Sequence, residues 1–432
     1  MRRRPPCRPL VNILYMPKTK ITNDPVYDGF LRIDDPLILT VIDHPFFQRL
    51  RRIKQLGMAD LVYPGAVHTR FSHCLGALNL MCRALDVLKA KGVDISDQEC
   101  QGAKLAILMH DIGHGPGSHV LENTIVHVHH ETITDIFLER LNKQLNGQLD
   151  TAIAIFRNQY PKHFLHQLVS SQLDMDRLDY LSRDSYFTGV REGIVGTDRI
   201  IYMLNVKDDE LVVDEKGIYS IEQFIISRRL MYWQVYMHKT VVAAEIMLRN
   251  FFHRAAHMGP DFVTRTNFDS FFHSRIPISE STMRNHSYVF DDFMRLDDND
   301  LYMCLKEKHR DMVLDYLSSG LLSRNLVAIQ ISDKPFPDEM VQRLRDKVNE
   351  NLSQVFHLYP GTVVDKWKEW MAEYIVGTGE LHNRSYDFAD HEIKVLFRDG
   401  RCLPIGEASD QLDRHFLEKS VTKYYISYPK GL

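Results

Sequence analysis

Apolar positions in this chain recur mostly every three to four residues, the spacing of one helix face. Between Asp34 and Gly57, the residues Leu37, Ile38, Val41, Ile42, Phe46, Leu50 and Ile53 follow that period. Asp34 or Asp35 can cap this stretch, Pro36 suits a first turn, Gly57 suits a stop, and Pro45 marks a break or kink. The same reading predicts helices near 71–90, 97–112, 118–145, 151–157 and 164–186. It also predicts a long helix over about 221–257, with Met231, Val235, His238, Val242 and Ile246 near one face. Strand signals are fewer. Glu210 to Tyr219 predict a β-hairpin near 205–220 with a turn between apolar runs, and Leu326–Gln330 and Glu392–Phe397 predict short strands. The expected fold is mainly α. A core over 17–258 is followed by a smaller mixed α+β region over 259–432, which would serve subunit packing.

Residues 1–16 break the pattern. They are basic and proline-rich, opening Met1-Arg2-Arg3-Arg4-Pro5-Pro6, and read as a loose tail, with Met16 an alternative start. They are short for a mitochondrial presequence and lack its amphipathic, serine-rich pattern. No apolar run reaches the ~18 residues of a membrane span. The 432 residues suit two or three domains, or one large helical domain with an appendage. A net charge of −4 gives no support to nucleic acid as the main partner. Cys7, Cys74, Cys82, Cys100, Cys304 and Cys402 form no CxxC pair, and no secretory signal is evident, so reduced thiols and a cytoplasmic location are expected.

Histidine changes the picture. There are 21, and eight lie between His68 and His130, nine when the window is widened to His44. The run His110-Asp111-Ile112-Gly113-His114-Gly115-Pro116-Gly117-Ser118-His119 follows the apolar stretch Ala103 to Met109, a buried helix that must stop at Gly113. Neighbours i and i+1 point apart inside a helix, but at its end both can turn to one ion. The glycines would let backbone and substrate approach closely. His68-Thr69-Arg70-Phe71-Ser72-His73 and Asp174 to Asp184 add further candidates. Asp176, Tyr180 and Asp184 are spaced by four and share a helix face. Alone, a histidine such as His73 is more often structural, and Asp174 to Asp184 reads equally as an exposed, charge-laced helix. Together the segments point to a divalent metal, because imidazole and carboxylate are its usual donors.

The strings Gln48 to Gly57, His68 to Gly76, His110 to His119 and Asp174 to Asp184 resemble the HD-domain phosphohydrolases. More narrowly they resemble deoxynucleoside triphosphate triphosphohydrolases of the sterile-alpha-motif-and-HD type, although no sterile-alpha-motif region is evident. The resemblance is strongest from about Ile21 to Glu245. It implies an HD helical bundle in which His73, His110, Asp111 and Asp176 bind iron, manganese, zinc or magnesium. It implies His130 as general acid, held by Glu131 and close to Glu122, a role for which histidine suits neutral pH. It places His114 and His119 at the α-phosphate, Arg70, Arg177 and Tyr180 at the triphosphate, and Gln55 and Asp184 at the sugar. Two positions depart from the family pattern. Arg177 stands for a lysine, which keeps charge but not geometry, and Glu122 stands for an aspartate.

The implied reaction cleaves a deoxynucleoside triphosphate, dGTP among them, to deoxynucleoside and inorganic triphosphate. In regulated relatives a guanine nucleotide, GTP or dGTP, binds between subunits and promotes assembly. The matching residues are Lys20, Ile21, Asn23, Asp43, Gln48 and Arg51, and a homodimer or tetramer is expected with them. Gln48 and Arg51 would be polar on any exposed helix face. Alternatives are an HD phosphohydrolase of another nucleotide (cyclic, alarmone or monophosphate) or a catalytically silent scaffold. The intact Asp176–Asp184 face favours a nucleoside triphosphate over the first, and the intact set His73, His110, Asp111, Asp176 and His130 argues against the second.

Overall fold

The structure is a computed structural model. It describes residues 19–27, 29–122, 124–273, 278–351, 372–383, 386, 388 and 391–432, and not the side chain of His119. The expected tail over 1–16 lies outside these residues. The described fold is mainly α with three small sheets.

Strands β1 (Lys20–Asn23) and β2 (Phe30–Ile33) form an antiparallel pair. Helix α1 (Pro36–Asp43) is capped by Asp35, whose carboxylate accepts from the Leu37 and Ile38 amides, with Pro36 at its first position. Pro45 ends this helix and starts α2 (Pro45–Gln48), and a 3-10 turn over Arg49–Arg52 follows. The core is built on α3 (Arg70–Ala90), which packs against α4 (Asp97–Met109) and, further along the chain, α8 (Met175–Thr188). Helix α5 (His130–Gln144) joins α4 through Thr134. The Thr134 hydroxyl donates to His110 O at 3.0 Å and accepts from Gly113 N at 3.1 Å. Helices α6 (Asp150–Phe156), α7 (His163–Gln167) and α9 (Thr197–Met203) complete this part.

Several boundaries differ from the sequence reading. The helix expected over 118–145 is a 3-10 turn at Ser118–Val120, a loop, and then α5. Gly117 and Ser118 adopt left-handed backbone there (φ 69° and 58°), which no continuous helix permits. The stretch 164–186 is divided because Asp174 is extended and caps α8, its carboxylate accepting from Arg177 N at 2.6 Å. The hairpin turn falls at Asp208–Asp209, both left-handed, between β3 (Leu204–Lys207) and β4 (Glu210–Asp214). Glu215 to Gly217, expected as part of that hairpin, lead into α10 (Ile218–Met231) instead. The long helix over 221–257 is two: α10, a π turn at Tyr232–Tyr236, and α11 (Lys239–Met258). His238 separates them with extended backbone, its Nδ1 accepting from Thr240 N at 3.2 Å.

Beyond residue 259, short helices are followed by a longer helix, Met312–Ser323, which packs on α11. A strand at Ala328–Ser332, one residue pair beyond the expected Leu326–Gln330, joins a three-stranded antiparallel sheet. Lys394–Leu396 pairs parallel with β4, so the late chain returns to the core.

Candidate active site

His73 lies one turn inside α3, whose first turn is capped by Thr69. His110 and Asp111 follow the last residue of α4, where the chain leaves the helix. Asp176 sits in the first turn of α8. Three separate helix ends therefore converge. His73 Nε2 is 3.0 Å and His110 Nε2 3.3 Å from Asp176 Oδ1, and the two imidazole nitrogens are 3.3 Å apart. The opposite nitrogens are held from behind: His73 Nδ1 lies 2.7 Å from Asp179 Oδ2, and His110 Nδ1 2.6 Å from Ile107 O. With Nδ1 carrying the proton, both Nε2 lone pairs face the same point as a carboxylate, which suits a cation. These donor atoms lie within 4.8 Å of one another.

Asp111 stands beside this set, its Oδ1 3.5 Å from His110 Nε2 and its Oδ2 3.8 Å from His73 Nε2. Arg70 donates to its Oδ2 at 2.5 Å and to Ser118 Oγ at 2.9 Å. Burial works against charge throughout, but the partners win. Burial lowers His73, yet its hydrogen bonds to Asp176 and Asp179 hold it at about 10. Asp111 and Asp176 are both held below the usual carboxylate range despite burial, Asp111 chiefly by Arg70 and Asp176 by His110 and His73. Protons and a metal ion compete for such a site.

A second cluster adjoins it. The His130 ring stacks on His114 with centroids 3.8 Å apart, and His130 Nδ1 lies 2.9 Å from Glu122 Oε1. His114 is pushed well below its ordinary value by burial and by Arg70, so its ring is neutral. Glu131, expected to hold His130, is exposed, with its carboxylate 3.7 Å from His129 Nδ1. The carboxylate against His130 is Glu122, because α5 begins at His130 and points the next side chain outward.

Both clusters open on one cavity of about 370 Å³, whose walls include Gln55, Arg70, Asp111, His114, His130, Asp176, Tyr180 and Asp184. Two larger clefts, of about 690 and 590 Å³, hold none of these residues. Gln55 Oε1 is buried without a hydrogen-bond partner, an acceptor available to a ligand. Arg177 is not on the cavity wall; its Nε donates to Asp174 Oδ2 at 3.0 Å. The His119 side chain lies outside the described residues. The cavity also contains residues the sequence reading passed over: Ser118, Tyr232, Tyr236 and Glu245. Tyr236 donates to Asp184 Oδ2 at 2.7 Å, while His68 Nε2 lies 2.8 Å from Asp184 Oδ1. The π turn aims Tyr236 here, and nothing in a continuous helical period would reveal it. Gly113 and Gly115, expected to admit phosphates, face protein instead. A Cβ on Gly113 would lie 2.1 Å from His130 O, and one on Gly115 3.2 Å from Leu121.

The expected effector residues form a connected surface outside the cavity. Lys20 pairs with Asp43, Gln48 donates to Ile42 O at 2.7 Å, and Arg51 donates to Gln48 at 2.9 Å. Ile21 and Asn23 face outward from β1.

The chain is similar to several known proteins. The HD domain matches residues 70–184, and the HD associated region matches 195–268. An uncharacterised Bacillus subtilis protein, YwfO, is 33% identical over 96% of this chain and 93% of its own length. The chain belongs to the HD-domain phosphohydrolase family. The whole chain also resembles a solved phosphohydrolase from Bacteroides thetaiotaomicron, with TM-score 0.87 and 46% identity over 95% of this chain and 100% of that one. The deoxynucleoside triphosphate triphosphohydrolase SAMHD1 homologue of Dictyostelium discoideum is 30% identical over 55% of this chain. This HD protein spans about half of that relative, 49% of its length. Among the described residues no helix is long and apolar enough to cross a membrane.

Proposed function

We propose that this protein hydrolyses deoxynucleoside triphosphates, dGTP among them, to deoxynucleoside and inorganic triphosphate. The observation that carries this reading is the single cavity in which a metal-donor set, a carboxylate-backed histidine and a polar, aromatic wall meet. His73, His110, Asp111 and Asp176 would hold a divalent ion, iron, manganese, zinc or magnesium. When bound, that ion lowers the pKa of water and offsets charge on phosphoryl oxygens.

The chain's own groups do the rest. Arg70 sits where it can meet triphosphate charge while keeping Asp111 ionised. Neutral His114 offers an uncharged contact to the α-phosphate. His130 gives its Nε2 proton to the 5′-oxygen as the P–O5′ bond breaks and the water oxygen bonds to the α-phosphorus, and the proton that the water loses passes to solvent, from which His130 is reprotonated. Glu122 behind Nδ1 orients that ring toward the leaving oxygen. Tyr180 and Arg177 belong to the triphosphate side in this reading, and Arg177 reaches it by releasing Asp174. Gln55 and Asp184 take the sugar. Each Asp184 oxygen already has one partner and retains a lone pair for a ribose hydroxyl. The Lys20–Asp43 and Gln48–Arg51 surface supports binding of GTP or dGTP between copies of the chain, with Ile21 and Asn23 beside it.

The activity for which the SAMHD1 relatives are named supports this substrate class. The test is a product assay on the four deoxynucleoside triphosphates, with and without GTP, using protein loaded with Mn, Mg, Fe or Zn. Release of inorganic triphosphate is expected. No release under any condition, or turnover only of a cyclic nucleotide, alarmone or monophosphate, overturns the reading.

A further inference from the structure

Behind the metal-donor set runs a buried relay that ends at the N-terminal β-turn. Asp179 Oδ2 lies 2.7 Å from His73 Nδ1 and accepts from Arg183 Nε at 2.9 Å. Arg183 Nη2 donates to Asp179 Oδ1 at 3.0 Å. The outer edge of the same guanidinium reaches Asp24, Nη1 to Oδ1 at 3.2 Å and Nη2 to Oδ2 at 2.5 Å. Tyr27 donates to Asp179 Oδ1 at 2.8 Å, and its ring lies 6.0 Å from the guanidinium. The Asp179 and Arg183 side chains are 0% exposed and Asp24 is 14% exposed. Helix α3 is shaped around them. A Cβ on Gly76, three residues after His73, would lie 2.0 Å from Asp179 Oδ1 and 2.1 Å from Arg183 Nη2.

We propose that Asp24 and Arg183 are positioning residues for the metal ligand His73, so that the β1–β2 turn is part of the metal centre's support. This rests on the reading of His73 as a ligand. A carboxylate behind a ligating imidazole fixes its ring and tautomer. Here that carboxylate is itself shared between an imidazole and an arginine, and the arginine is held off by a second carboxylate. Without the Asp24 charge, Arg183 binds Asp179 alone and competes for the oxygen that orients His73. Neither Asp24 nor Arg183 lines the cavity, so the effect runs through the metal and not through substrate contact. Asp24 directly follows Asn23 at the end of β1. A ligand or second chain that grips the Lys20–Asn23 strand therefore pulls on the anchor of His73, a physical route from the proposed effector surface to the reaction.

The test uses the full chain and Mn2+ alone, with affinity read by titration calorimetry in wild type, Asp24→Asn, Arg183→Lys and Tyr27→Phe. Replacing a group behind a metal ligand costs about 10–100-fold in affinity. One step further out, Asp24→Asn is expected to weaken Mn2+ by roughly 3–10-fold. Tyr27→Phe, which leaves no buried charge unpaired, is expected to weaken it less. Turnover of Asp24→Asn should recover at saturating Mn2+ with KM for the nucleotide unchanged, a split that a general loss of fold does not give. Arg183→Lys keeps the charge but cannot bridge both carboxylates, so its loss should not add to that of Asp24→Asn in the double variant. Wild-type Mn2+ affinity in folded Asp24→Asn and Tyr27→Phe overturns the relay. A wild type that binds Mn2+ but releases no triphosphate overturns the proposed reaction and leaves the relay standing.

Discussion

Glu122 and Glu131 lie on either side of the same histidine pair, yet only one of them backs His130. Glu122 Oε1 is 2.9 Å from His130 Nδ1, whereas the exposed Glu131 faces His129. A general acid misoriented by loss of its partner forfeits about 10²-fold or more of its contribution. Glu122→Gln should therefore lower kcat by roughly that factor with little change in KM, and Glu131→Gln should lower it far less. Equal losses in steady-state assays of the two variants would contradict this assignment. Glu245 makes a different prediction. Burial lifts its carboxyl from the ordinary 4.5 to about 7, against the pull of Arg249. Below pH 4.5 the group is protonated in both folded and unfolded chains and contributes nothing. As pH rises the unfolded chain ionises first, so the fold loses stability until the folded carboxyl ionises near 7. The cavity admits solvent, which reduces the full cost to about 2 kcal/mol. Glu245→Gln removes it, so its stability relative to wild type should be about 2 kcal/mol greater at pH 8 than at pH 4.5 in urea unfolding. A pH-independent difference would show that the carboxyl is not buried at the cavity wall.

Among the elements, the junction between α4 and α5 is the most exacting. Gly113 sits against the start of α5, where an added Cβ would meet His130 O at 2.1 Å and Thr134 N at 2.7 Å. Both are backbone atoms, so a side chain there must displace the helix that carries His130. Gly113→Ala should cost about 1–3 kcal/mol in thermal or urea unfolding and at least tenfold in kcat. Retained kcat would mean that α5 yields without moving His130. The sequence identified this glycine but assigned it a different job, because a motif shows where freedom is needed and not which neighbour requires it. The helix periods of α3, α4 and α8 were legible because α4 and α8 each bury a face against α3. The break at Tyr232–His238 was not, since apolar residues continue at helical spacing through the π turn and His238 caps α11 with an imidazole, an uncommon capping group. Tyr236 was missed for the same reason. Its reach to Asp184 depends on the extra residue in that turn.

Across the whole molecule, the donor set was legible because it lies at three helix ends with chemistry that packing does not explain. What was not legible is the support around it, which comes from residues far apart in sequence. Asp24 serves His73 through Arg183, and Arg49 serves the HD loop. Arg49 is 1% exposed. Its guanidinium donates to Ile112 O at 2.9 Å and His114 O at 2.7 Å on one side, and to Leu296 O at 3.0 Å and Phe293 O at 3.4 Å on the other. One side chain thus fastens the loop bearing His114 to the helix Ser287–Phe293 and its exit. Burial lowers this guanidinium to about 9, which still leaves it charged at neutral pH. Arg49→Met preserves much of the volume but strands these carbonyls without donors, at roughly 1–3 kcal/mol for each one that finds no water. A loss of at least about 3 kcal/mol is expected in urea unfolding, together with a fall in kcat because the loop carrying His114 loses its tether. Arg49→Lys should recover only part of both, since an ammonium cannot span the two sides of the fork. If Arg49→Met kept full activity while losing stability, the late chain would be a support for the fold alone, without influence on how His114 is held.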